Sequence, residues 1–158
     1  MTKSKNNKGF TLIETIVYLA LFGILLSGVF MSAFNIIESS GRNQVKIIMK
    51  NEGEFLLAKI NWAISRAIIA QVPEGGCLQI NDGVNNLEFR QGENIMTLKR
   101  NENEAIILNN KSVKVSNLFF IKNENDIKGI RYGFDLKSNA PNGMNLISHF
   151  ESTTYLRK

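Results

Sequence analysis

The chain has 158 residues, room for one domain and an attached segment, with a formal net charge of +5. Lys3, Lys5 and Lys8 carry three of those charges; without them 16 basic residues face 14 acidic ones, too small a surplus for a strong nucleic-acid footprint. One cysteine, Cys77, and one histidine, His149, exclude an internal disulfide and a Cys/His metal cluster, and no cofactor is expected.

In chain order, a short basic leader, MTKSKNNKG, comes first. An uncharged run from Thr15 to Ile37 follows, with Glu14 at its head. Thr15–Phe34 alone gives 20 mostly apolar residues. At about 1.5 Å per residue they cross a hydrocarbon core of about 30 Å. A signal peptide carries a shorter apolar region and a pair of small residues before its cleavage site. Here Met31 stands where the second small residue of a site at Ala33 belongs, so the span is read as retained. Basic residues on its two sides nearly balance, Lys3, Lys5 and Lys8 before and Arg42, Lys46 and Lys50 after. A short tail before the span and a long domain after it favour an inside N-terminus.

Past the span, Ser39-Ser40-Gly41 is a place for a bend or break. Leu57, Ile60, Ile64 and Ile68, with Leu56, Ala63 and Ala67, then recur at spacings of three and four. This predicts an amphipathic helix over 38–72, ended by Pro73 and Gly75-Gly76, with Trp62 in core or edge packing. From Cys77 the pattern turns to strands. NLEFRQ (86–91) and the segment 95–100 flank a turn at Gly92-Glu93, and further strands are expected at 105–108, 112–121, 129–136 and 146–156. Asn109-Asn110, Asn123–Asp126 and 140–143 read as turns, the second as a solvated turn rather than a calcium loop. Long helix plus short antiparallel strands is an α+β arrangement, a helix packed on a C-terminal antiparallel sheet.

Catalytic groupings are not recognisable: His149 is alone, Cys77 follows two glycines in an expected loop, and no phosphate-binding glycine loop occurs. Glu14 has a plain role, an acid in the first helical turn facing the positive end of the macrodipole. Its neighbours say more. Lys8-Gly9-Phe10-Thr11-Leu12-Ile13-Glu14, running into a long apolar helix, resembles the processing site of type IV prepilins and type II secretion pseudopilins. The resemblance covers Lys8 to about Phe34. It implies a pilin-like fold, cleavage after Gly9 on the cytoplasmic side by a prepilin peptidase, and methylation of the new Phe10 amine. Residues 1–9 would be the leader, with Lys3, Lys5 and Lys8 its charge, 10–37 the transmembrane and assembly helix, and 38–158 an extracytoplasmic domain with its sheet in 77–158. Glu14 would guide docking by pairing with the Phe10 amine of a neighbouring subunit.

Implied partners are other pilin or pseudopilin subunits, the peptidase/methyltransferase, a membrane assembly platform and the bilayer. The chain would be a single-pass protein of the cytoplasmic membrane, inside at its N-terminus, that enters an extracytoplasmic filament. Many major pilins carry a proline in this helix; its absence, with the missing disulfide, favours a minor pilin or pseudopilin over a major pilin. A second reading is a DNA-capturing subunit of an uptake system, using Lys111, Lys114, Lys122 and Lys128.

Overall fold

The computed structural model describes residues 11–73, 76–122, 129–140 and 143–156. Two compact units divide the chain, Met1–Ser40 and Gly41–Lys158. One helix, α1 (Leu12–Ser65), supplies all the described helix of the first unit and opens the second. Thr11 caps it, its carbonyl accepting from the amides of Glu14 (3.1 Å) and Thr15 (3.3 Å). Ser39, Ser40 and Gly41 all have helical backbone, so the expected break is absent. No proline interrupts the helix, since Pro73 and Pro141 both lie beyond it.

In the first unit the helix is apolar on every side. Leu12, Phe22 and Phe34 are 78, 61 and 70% exposed. A helix of that kind needs an apolar phase or other helices around it.

In the second unit one stripe of α1 is buried: Met49, Gly53, Leu56, Ile60, Ala63 and Ile64. Their spacing of three and four keeps them on one side of the helix, where they join Phe89, Tyr132 and Phe134 in the core. Met49, Leu56, Ile60 and Ile64 each contribute about 1.5–3 kcal/mol on burial. Gly53 is needed there because an added Cβ would overlap the ring of Phe150, which stacks on Phe134 at 5.6 Å. A polar chain running from buried Tyr132 to the surface ties the same helix to two strands. The Thr154 hydroxyl donates to Asn61 Oδ1 (2.9 Å), so the Tyr132 hydroxyl, 3.2 Å from Thr154 Oγ1, must be the donor of that pair.

The helix ends at Ser65 rather than at 72, and this corrects the expected boundary. Arg66 and Ala67 close short turns onto Ala63 and Ile64, and the Ile68 amide then donates to Asn81 O (2.9 Å). Ile68 therefore leaves the buried stripe and is 69% exposed. Two strands follow that the pattern did not resolve, β1 (Ile69–Gln71) and β2 (Leu78–Asn81). The others lie close to expectation: β3 (Asn86–Gln91), β4 (Met96–Arg100), β5 (Ile106–Ile107), β6 (Lys114–Lys122), β7 (Gly129–Asn139) and β8 (Asn145–Tyr155).

They form two antiparallel sheets instead of one, β1-β2-β3-β4-β5 and β6-β7-β8. The β3–β4 turn is longer than Gly92-Glu93: Gly92 N–H bonds Ile95 O (2.8 Å) and Asn94 takes the left-handed conformation. Between the sheets, buried Asn109 acts as a clamp, accepting from the Met96 amide (2.8 Å) and donating to Val113 O (2.7 Å). The expected turn at Asn123–Asp126 lies outside the described residues.

Candidate functional site

Of the residues singled out by the sequence motif, Glu14 is described; Lys3, Lys5, Lys8, Gly9 and Phe10 lie outside the described residues. Glu14 occupies the first turn of α1, half-exposed, and accepts a hydrogen bond from Tyr18 Oη, one turn on, at 3.2 Å. The helix behind it is built for an apolar surrounding. The hydroxyls of Thr15, Ser27 and Ser32 all bond back to helix carbonyls, those of Leu12 (2.8 Å), Ile24 (2.8 Å) and Gly28 (2.9 Å). No hydroxyl of the three is left to be desolvated without a partner. Gly23 and Gly28 have nothing within 4 Å of an added Cβ, so each is a notch on an open surface. The most apolar 18-residue window has no buried residue, and the helix is long and apolar enough to cross a membrane.

Elsewhere the structure assembles a polar network that the sequence did not reveal. On the outer face of β6-β7-β8, register sets Asp135 directly opposite His149 and Gly133 opposite Glu151. His149 Nδ1 lies 2.7 Å from Asp135 Oδ1, and its Nε2 lies 3.6 Å from Glu151 Oε2. Arg131 bonds Glu151, and Asn117 donates to Asp135 Oδ2 at 2.6 Å. A bulge between Ser116 and Phe119 puts Asn117 in the left-handed region and aims it at Asp135.

The hydrogen bond to Asp135 raises the His149 pKa above its ordinary value, with Glu151 adding to the effect. Asp135 is held below the usual carboxylate range by His149 and then by Asn117. Glu151 is held down chiefly by Arg131. Alternation along IRYGFDLK and LISHFEST was the available signal, since it puts these polar residues on one face once the register is known.

Other expectations take a definite position. Cys77 is buried at 5% exposure, which shields its thiol. Trp62 is not core: it is 49% exposed, with the Arg66 guanidinium 5.4 Å from its ring centre. Among the described residues no group of three His, Cys, Asp or Glu side chains is arranged to hold a metal ion. Two lysines of the DNA reading are far apart. Lys114 and Lys122 stand at opposite ends of β6, about 26 Å apart at 3.3 Å per residue and well beyond a Debye length of about 8 Å. Lys128 lies outside the described residues.

A long N-terminal helix followed by antiparallel sheets, with its second part packed on them, is an α+β arrangement of pilin-like type. Residues 4–30 match the prokaryotic N-terminal methylation motif, and the chain thus carries a prepilin motif of the type IV pilin and pseudopilin kind. That motif belongs to structural proteins processed by prepilin peptidase, and with the apolar helix it points to single-pass membrane anchoring. No curated protein and no solved structure matches the chain.

Proposed function

We propose that this protein is a minor pilin or pseudopilin, a non-catalytic structural subunit of a type IV pilus or type II secretion-like filament. Cleavage after Gly9 removes the leader with Lys3, Lys5 and Lys8 and leaves Phe10 as the methylated first residue. The N-terminus lies inside and the domain outside; the subunit then passes through the membrane assembly platform into the filament by helix bundling. The observation that carries this reading is the overlap of the motif at 4–30 with the first part of α1, exposed and apolar on all sides, with one carboxylate, Glu14, in its first turn.

Glu14 acts in assembly. Four helical residues rise about 6 Å, so the Phe10 amine of a neighbouring subunit comes within reach of Glu14 when two helices pack with a small axial offset. A charge left unpaired at depth costs about 2.5–3.5 kcal/mol, which rewards the register that pairs it. Tyr18 supports the carboxylate from the next turn. The test is Glu14→Ala in the native host, followed by two separate readouts. The variant is expected to keep the parent's processed N-terminus yet be missing from sheared filaments or from cross-linked subunit ladders. Normal incorporation of Glu14→Ala would rule out the pairing role.

A further inference from the structure

The outer face of the five-stranded sheet carries a chemistry of its own. Side chains alternate, so Ala70, Leu78, Leu87 and Phe89 enter the core while Gln71, Gln79, Glu88 and Lys99 project from the other side. Register sets those four in one row, Gln71 opposite Gln79, Gln79 opposite Glu88, and Glu88 opposite Lys99. With strands about 4.8 Å apart the row is about 14 Å long.

A second row, Ile69, Asn81, Asn86 and Asn101, runs beside it. It is held rigid from within: Asn81 Nδ2 donates to Asn86 Oδ1 (2.7 Å), and the Asn86 amide donates to Asn101 Oδ1 (2.7 Å). Together the rows line a cleft of about 440 Å³, within the usual size of ligand sites. A further depression of about 220 Å³ shares Glu88 and Lys99 and prolongs the cleft toward Ala105.

Its lining decides what fits. Glu88 and Lys99 are the charged members of the main cleft, and Arg90, in the depression that prolongs it, is paired to Glu88; the surplus of one cation is too small for a phosphate chain. Ile69 is its one exposed large apolar side chain, too little for a lipid tail. Carboxamides dominate, and each offers donors and an acceptor together, as a sugar hydroxyl does. Among the described residues the side chains of Gln71, Gln79 and Lys99 make no hydrogen bond, whereas the asparagines of the second row are already tied. One row is therefore a fixed floor and the other a set of open partners.

We infer that this cleft binds a neutral oligosaccharide lying across the strands. Gln71, Gln79 and Lys99 bond its hydroxyls, Glu88 accepts through Oε2 while Oε1 holds Arg90, and Ile69 packs on the C–H face of a ring. The assignment is independent of processing at Gly9 and of the role of Glu14.

Full-length protein in lipid nanodiscs, free of glycoside detergents, is titrated calorimetrically with three neutral tetrasaccharides, chitotetraose, cellotetraose and maltotetraose, and with a sulfated heparin tetrasaccharide. Binding of at least one neutral sugar is expected, weakened about tenfold by Gln79→Ala and further by Gln71→Ala in the same chain. Both side chains are exposed and outside the core, so the variants should melt with the parent. Three outcomes overturn the assignment: no neutral sugar bound, preference for the sulfated one, or neutral-sugar affinity unchanged in the double variant.

Discussion

Gly53→Ala sets two effects of opposite sign against each other. Alanine is the better helix former, by about 0.5–1 kcal/mol. At this position, however, the new methyl group would occupy the space of the Phe150 ring edge. Overpacking of this kind costs about 1–3 kcal/mol. If the ring swings away instead, the stack on Phe134, 5.6 Å between centroids with planes 20° apart, is lost, at about 0.5–1.5 kcal/mol. The steric side wins, and the variant should be less stable by about 1–3 kcal/mol. Hydrogen exchange at the amides of β7 and β8, in nanodiscs with urea, reads this directly, because those strands carry Phe134 and Phe150. In a Phe150→Ala background the clash is gone and the same change should be neutral or stabilising by up to about 1 kcal/mol. A Gly53→Ala protein more stable than its parent would refute the packing argument.

Three further expectations follow from the domain. His149, the only histidine, should titrate above the ordinary histidine value by NMR and fall back toward it in Asp135→Asn. Its raised pKa stabilises the fold below the ordinary histidine value and the benefit fades as pH rises through the folded one. The lowered pKa of Asp135 works in reverse, its benefit lost as pH falls through its folded value. The pair therefore contributes most between about pH 4 and 6.5, and an unshifted histidine titration would contradict it. Asn109→Ala strips partners from the Met96 amide and the Val113 carbonyl, and should cost about 2–6 kcal/mol in urea unfolding at about 1–3 kcal/mol per orphaned group. Cys77 should resist alkylation in the native domain and react at the rate of unfolding; rapid labelling without denaturant would place the thiol at the surface instead.

How far the sequence could be read depended on how local each determinant was. The apolar helix and the β3–β4 hairpin depend on residues close in sequence, and both were legible. The end of α1 was not: Ile64 and Ile68 continue a helical spacing, and only pairing of β1 with β2, from Ile69 opposite Asn81 to Gln71 opposite Gln79, draws the chain into a strand. Splitting of the strands into two sheets was hidden for the same reason, since it depends on contacts such as Asn109 with Met96 and Val115 with Asn94. The His149 network joins residues 14 apart through strand register, and the carboxamide row joins four strands. The place of Glu14 in the first helical turn was legible because it depends on residues next to it in the chain.

The intact mass and N-terminal sequence of the protein recovered from membranes of its own host test the central claim most directly. The account predicts a chain that begins at Phe10 and carries one added methyl group. A chain still beginning at Met1, in cells whose prepilin peptidase is active, would contradict it and leave an anchored domain with no place in a filament.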